Sequence, residues 1–194
     1  MNEQLQLVLG LGNPGIQYAA TRHNMGFMAV ELLAAHYQVS LNLDKRNFNC
    51  WWGKAKVGGR NLVLALPQTY MNLSGEAAHA LAAYFRIEPA AMVAVYDDLD
   101  LNFGQIKISL NRGSGGHKGI SSLMQHLQTE GFARLRLGIG RPQYSEAIER
   151  YVLSGFYPEQ QAGLEQFLEK AKECLVAMVE GGVTSAMQLY NRNA

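Results

Sequence analysis

Apolar and polar positions along the chain switch between two periods. The run "LQLVLGLG" is short, apolar and ends in a turn signal, which predicts a buried strand. Phe27, Val30, Leu33 and Tyr37 then recur at helical spacing, so a helix is expected to begin near Met25. "CWWGKAKV", the pair Gly58-Gly59 and "NLVLALP" predict a β-hairpin. A helix capped by Ser74 is expected through Arg86, followed by strands at "MVAVYD" and "QIKISL". The glycine-rich "NRGSGGHKG" leads into a helical "ISSLMQHLQ", and "RLRLGIG" reads as a further strand. Pro158 opens a long helix with Leu164, Phe167, Leu168 and Leu175 on one side, ended by Gly181-Gly182, and "TSAMQLY" closes the chain as a short helix. A hairpin among helix-separated strands predicts an α/β single domain over residues 1–194, a twisted mixed β-sheet with helices on both faces.

Composition narrows the class. With 194 residues and 48% apolar content the chain can bury one good core. The start "MNEQLQLVLGLG" lacks the features of a signal peptide, and no apolar run approaches the roughly 20 residues of a membrane span. Cys50 and Cys174 form no C-x-x-C pair, so neither a disulfide framework nor a zinc site is suggested. A cytoplasmic protein is the expectation. The net charge of +1 favours no partner. Its distribution does: residues 105–141 hold Lys107, Arg112, Lys118, Arg134, Arg136 and Arg141 against Glu130 alone, a local surplus able to attract phosphate. A solvated face explains the same surplus equally well.

The opening "GLGNPG" fits the G-x-G-x-x-G spacing of a dinucleotide cradle, yet its context does not. Pro14 removes an amide from the loop, the helical pattern begins well after Gly15, and no acid ends a second strand where a ribose would need one. "GSGGHKG" in turn lacks the G-K-[ST] ending of a P-loop. No G-x-S-x-G elbow, H-E-x-x-H pair or metal-ligand spacing of histidines is present. The chemistry left is a histidine acting on free water with a carboxylate behind it to fix its tautomer. His23 and Asp97 could form that pair if the loop after the first strand and the end of the "MVAVYD" strand converge at one edge of the sheet. Singly, His23 reads as a residue that caps or packs a helix start, and Asp97, Asp98 and Asp100 as an acidic turn.

Five ordered blocks, "GLGNPGIQYAATRHNMGF", "PQTYMNLSG", "YDDLDLNFGQIKI", "GSGGHKGI" and "RLRLGIGRP", resemble the bacterial-type peptidyl-tRNA hydrolases along nearly the whole chain. The resemblance implies a hydrolase of the ester between a peptide and the 3′ adenosine of tRNA, a monomer with no metal or organic cofactor. By position it assigns catalysis to His23 with Asp97, and substrate holding to Asn13, Tyr18, Met71 and Asn72. It implies contact with acceptor-arm phosphate at Arg136, while Lys107 and Arg112 belong to the same basic stretch. Two departures stand out. Lys118 replaces the asparagine usual after the loop histidine and is expected to hold substrate through its charge instead, and Ser109 stands where a basic residue is common. The competing expectation is a non-catalytic RNA-binding relative with the same fold.

Overall fold

The computed structural model describes residues 5–193. Met1–Gln4, on which part of the no-leader expectation rests, lie outside the described residues. One sheet joins seven strands: β1 (Leu7–Gly10), β2 (Asn42–Asp44), β3 (Cys50–Val57), β4 (Arg60–Pro67), β5 (Met92–Asp98), β6 (Ile106–Ser109) and β7 (Ala133–Gly138). Their order is β2-β3-β4-β1-β5-β7-β6. The four central strands β4, β1, β5 and β7 are parallel, while β2 and β3 on one flank and β6 on the other pair antiparallel. The mixed sheet is thus present, with the hairpin turning at Gly58-Gly59 between Val57 and Arg60.

Burial follows the two-fold period of the strands. On β1, Val8 points to a core shared with α1 (Met25–His36), α5 (Pro158–Gly181) and α6 (Val183–Tyr190), where Val30, Leu33, Val95 and Leu175 are buried. Leu7 and Leu9 point the other way, to Leu81 of α2 (Ser74–Phe85) and to Ile120 and Leu123 of α3 (Lys118–Leu127). Each such fully buried leucine contributes about 1.5–3 kcal/mol relative to exposure. Helices therefore cover both faces: β1 and β4 are apolar on both, whereas β7 turns Ala133, Leu135 and Leu137 to the first core and Arg134 and Arg136 to the other side.

Three local expectations need adjusting. The edge strand β2 was not expected, since three residues are too few to show alternation. Ser74 is the first residue of α2 rather than its cap: its Oγ donates to the Met71 carbonyl at 2.9 Å, and Arg86, in the left-handed region with φ 54°, ends the helix. A five-residue helix, α4 (Ile148–Val152), lies in a stretch that carries no periodic signal.

The parallel strands direct the loops after β1, β4 and β5 to one edge of the sheet. Helix α1 approaches that edge very closely: a Cβ on Gly26 would stand 2.2 Å from the Val95 carbonyl oxygen, so only glycine fits. This contact seats the residues just before α1 over the end of β5. Strand β6 runs the opposite way, so residues 110–117 must travel back along the sheet to reach the same edge before α3 begins.

Candidate active site

Two short 3₁₀ turns, Ile16–Tyr18 and Arg22–Asn24, fill the loop between β1 and α1. The second carries His23. It is held by a reciprocal pair in which the Asn13 amide donates to Asn24 Oδ1 at 2.9 Å and Asn24 Nδ2 donates to the Asn13 carbonyl at 3.0 Å. Asn13 Oδ1 in turn accepts from the Met71 amide at 2.8 Å, tying the loop after β4 to the loop after β1. Asn13 and Met71 are buried, and their backbone contacts settle where the facing loops lie.

At the end of β5, Asp97 is 3% exposed and meets two histidines through one oxygen. His23 Nδ1 lies 2.8 Å from Asp97 Oδ1, and His117 Nε2 lies 3.3 Å from the same atom. The two imidazoles are 5.0 Å apart, and His117 also packs on Tyr96. Their hydrogen-bond networks assign different roles. The Ile120 amide donates to His117 Nδ1 at 3.3 Å, capping α3, so the His117 proton resides on Nε2 and is donated to Asp97. His23 donates from Nδ1 and keeps Nε2 without a protein partner among the described residues. Only His23 presents a nitrogen able to take a proton from a molecule in the cleft.

Electrostatics agree with that assignment. Burial alone would push the His23 imidazolium down, but the charge of Asp97 and its hydrogen bond outweigh it and raise the pKa above 6.5, with Lys118 opposing. Burial of Asp97 favours its neutral form, yet His23 and His117 outweigh burial and hold the carboxyl well below the ordinary carboxylate range. The carboxylate therefore stays charged wherever the imidazole titrates.

The pair opens into a cleft of about 470 Å³. Asn13, Tyr18, Met71, Asn72 and Lys118, all expected to hold substrate, line it together with His23 and Asp97. Asn72 and Lys118 are exposed there. Tyr70, Glu149 and Leu153 complete walls that sequence alone did not assign. Asp98 and Asp100, the other acids of the "YDDLD" turn, do not meet His23: Asp98 Oδ2 accepts from Arg136 Nε at 2.6 Å and Asp100 Oδ1 from Arg141 at 2.6 Å.

The basic stretch is corrected by burial. Arg136, expected on phosphate, is 4% exposed and its charge is met by Asp98. Arg134 is fully buried, donating to the Glu130 and Phe132 carbonyls, and Arg141 is spent on Asp100. Lys107, Arg112 and Lys118 are the members of the stretch that remain exposed, with no ion pair among the described residues. The local surplus read from the sequence thus leaves three cations at the surface.

His117 was absent from the sequence-based candidates, although each glycine-containing loop carries one histidine and that recurrence was the available signal. The fold also brings ligand atoms of His23, Asp97 and His117 within 4.8 Å of one another, a juxtaposition that histidine spacing did not reveal. These residues could hold a metal ion, which would have to displace the proton each imidazole shares with Asp97.

An α/β sheet that sets a histidine against a buried carboxylate, beside an asparagine-lined cleft at the strand ends, has the arrangement of a hydrolase-type site. The peptidyl-tRNA hydrolase family matches residues 7–194, and the chain belongs to it. It is 41% identical over 188 residues to a peptidyl-tRNA hydrolase of Aquifex aeolicus (strain VF5), covering 97% of each chain. A peptidyl-tRNA hydrolase of Shouchella clausii (strain KSM-K16) is 42% identical over 187 residues, covering 96% of this chain and all of the relative. The crystal structure of peptidyl-tRNA hydrolase from Acinetobacter baumannii superposes with a TM-score of 0.91 at 36% identity, over 98% of this chain and 96% of that one.

Proposed function

We propose that the protein hydrolyses the ester joining a peptide to the 3′-terminal ribose of tRNA, with His23 as general base. The observation that carries the reading is the His23 imidazole, which gives Nδ1 to Asp97 and leaves Nε2 facing the cleft. In this mechanism Nε2 removes a proton from water as the water oxygen attacks the ester carbonyl carbon. Asp97 fixes the tautomer and stabilises the imidazolium that forms. The carbonyl oxygen gains negative charge, and the Asn72 amide, exposed in the cleft wall, supplies a donor for it. When the intermediate collapses, the carbonyl–ribose bond breaks and the imidazolium returns its proton to the leaving ribose oxygen, releasing peptide acid and free tRNA.

Asn13 holds its place through Met71 and presents its amide nitrogen, without a protein acceptor among the described residues, to the substrate. Tyr18 and Met71 supply apolar surface beside the 3′ end. Lys107, Arg112 and Lys118 face the acceptor-arm phosphates, whereas Arg136 contributes by holding Asp98. The reading places the enzyme in the cytoplasm as a monomer working without a metal; among the described residues no helix is long and apolar enough to cross a membrane.

The test is release of the peptide from purified peptidyl-tRNA and from an N-blocked aminoacyl-tRNA, followed with and without a chelator. Release insensitive to chelator supports the reading. Binding of tRNA without release would instead favour a non-catalytic RNA-binding relative, and loss of release with the chelator would remove the metal-free mechanism.

A further inference from the structure

Next to the catalytic histidine lies a charge that the mechanism does not use. Arg22 is fully buried, and among the described residues no carboxylate comes within ion-pair distance of it. Glu146, which accepts from the Tyr157 hydroxyl, is a negative charge that acts on Arg22 without touching it. A cation with no carboxylate in contact is costly out of water, and it persists only where its surroundings replace the lost hydration. Here they do so with π-faces and oxygens. The guanidinium carbon sits 3.9 Å from the centre of the Tyr151 ring and 4.4 Å from that of Tyr157, with Phe156 at 5.4 Å. One terminal nitrogen donates to Ser154 Oγ at 2.8 Å and to the Gly155 carbonyl, the other to Gln160 Oε1 at 2.8 Å. The Arg22 amide also donates to the Ser154 carbonyl at 3.1 Å. Its Nε, by contrast, has no hydrogen-bond partner among the described residues.

Every one of those side-chain contacts goes to residues 151–160. That segment runs from the end of α4 to the start of α5, and its Val152 and Leu153, with Ile148 and Glu149 of the same short helix stretch just before it, line the cleft. The same residue thus begins the 3₁₀ turn that carries His23 and grips the wall against which substrate must lie. Helix α4 has only five residues, too few to hold a position by itself. Gln160 is shared in turn, accepting from Arg22 and from the Tyr157 amide at 3.1 Å, so the grip extends to the start of the 24-residue α5.

We propose that Arg22 is a positioning residue of the reaction, whose buried guanidinium locks the His23 turn and the α4 wall into one rigid unit. The proposal rests on the hydrolase reading above and adds the element that sets the distance between base and bound ester. Lysine keeps the charge but offers three donors from a point rather than a planar fork of five, and it has no planar face to set against the Tyr151 and Tyr157 rings.

The experiment compares wild type, Arg22→Lys and Arg22→Ala, each shown to be folded by thermal unfolding, for kcat, KM and the pH dependence of peptidyl-tRNA cleavage. Arg22→Lys is expected to lower kcat about 10- to 100-fold and to raise KM, because a displaced wall and a displaced base act together. The acidic limb is expected to move to lower pH, since a His23 that drifts from Asp97 loses the contact that raises it while burial and Lys118 still lower it; His117 is the remaining titratable neighbour and points to Asp97. Guanidinium at millimolar concentration should restore part of kcat in Arg22→Ala, and ammonium at equal ionic strength should not. A lysine variant with lowered Tm but unchanged kcat, KM and acidic limb would make Arg22 a stability residue only and overturn the proposal. If neither Arg22 variant folds, Gln160→Met removes the side-chain acceptor from the far side of the grip, and unchanged kcat and limb in that variant would overturn it equally. Absence of cleavage by wild type would count against the hydrolase reading, whereas cleavage by wild type with indifferent variants counts against this proposal alone.

Discussion

The loop between β1 and α1 and the loop between β6 and α3 both bring a histidine to the same oxygen of Asp97, yet they are built in opposite ways. The first starts at the catalytic edge and stays there. Its Asn13, Thr21, Arg22, His23 and Asn24 are buried; the side chains of Asn13, Thr21 and Asn24 bond to backbone of the same loop or to Met71, Arg22 grips residues 151–160, and His23 meets Asp97. The second climbs back from the opposite edge through exposed Gly113, Gly115 and Gly116, the last two in the left-handed region with φ 59° and 81°. Its histidine ends with both ring nitrogens engaged, one as a helix cap and one on Asp97. The difference teaches which histidine can act. A rigid, side-chain-locked loop presents a base with a free nitrogen, and a glycine-rich loop supplies a histidine already committed to holding the carboxylate.

The strongest way to break the comparison is His23→Ala. Loss of a positioned base should lower kcat by about 10² to 10⁴ while tRNA binding survives. A kcat near that of the wild type would transfer the role elsewhere.

Asp97→Asn should come next. The amide can favour the wrong imidazole tautomer, and a loss of about 10² to 10⁴ in kcat is expected. The pH profile carries a sign. On the proposed mechanism the neutral imidazole is the active form, so kcat/KM should rise with pH through a value above the ordinary 6.5. Without the carboxylate only burial and Lys118 remain, both lowering, and the limb should move below 6.5. A limb that stays in place would mean that it reports another group.

His117→Ala sharpens the contrast between the loops. It removes one donor from Asp97 and the cap of α3, so stability should fall by roughly 1 kcal/mol, the usual worth of a cap, and kcat by about tenfold or less. Thermal unfolding and kcat measured on one preparation check both, and a loss as large as that of His23→Ala would erase the distinction drawn here.

The smallest expected effect concerns Lys118. Lys118→Asn restores the residue usual in the family and removes a cation that opposes protonation of His23, so the acidic limb should shift slightly to higher pH. KM should become less dependent on salt, because the ammonium is exposed and screened. KM at two ionic strengths tests this, and equal salt response in both forms would place the lysine away from substrate charge.

The two loops also show what could be read from the chain beforehand. Strands such as "LVLG" and "MVAVYD" and the long helix after Pro158 were legible because burial on both faces or on one stripe leaves a periodic mark. His23 and Asp97 were legible as candidates because the β1 and β5 ends must share an edge of a parallel sheet. Choosing Asp97 over Asp98 depended on which side of β5 faces α1, and that is set by tertiary packing. The part of His117 was hidden for a related reason, since it reaches Asp97 only through the return of residues 110–117 across the sheet. Counting bases between 105 and 141 failed at Arg134 and Arg136 because charge along a sequence carries no information about burial: both lie on β7, in the interior of the sheet. Helix α4 was missed because contacts with Arg22, not a pattern of its own, determine it.

In the proposed mechanism the Nδ1–H of His23 donates to Asp97, which keeps the proton on Nδ1 and leaves Nε2 bare for catalysis. Nitrogen-15 NMR of the imidazoles, recorded above the pH at which His23 titrates, reports that directly. The account predicts a protonated Nδ1 and an unprotonated Nε2 on His23, with the reverse pattern on His117. A His23 ring carrying its proton on Nε2 would contradict it.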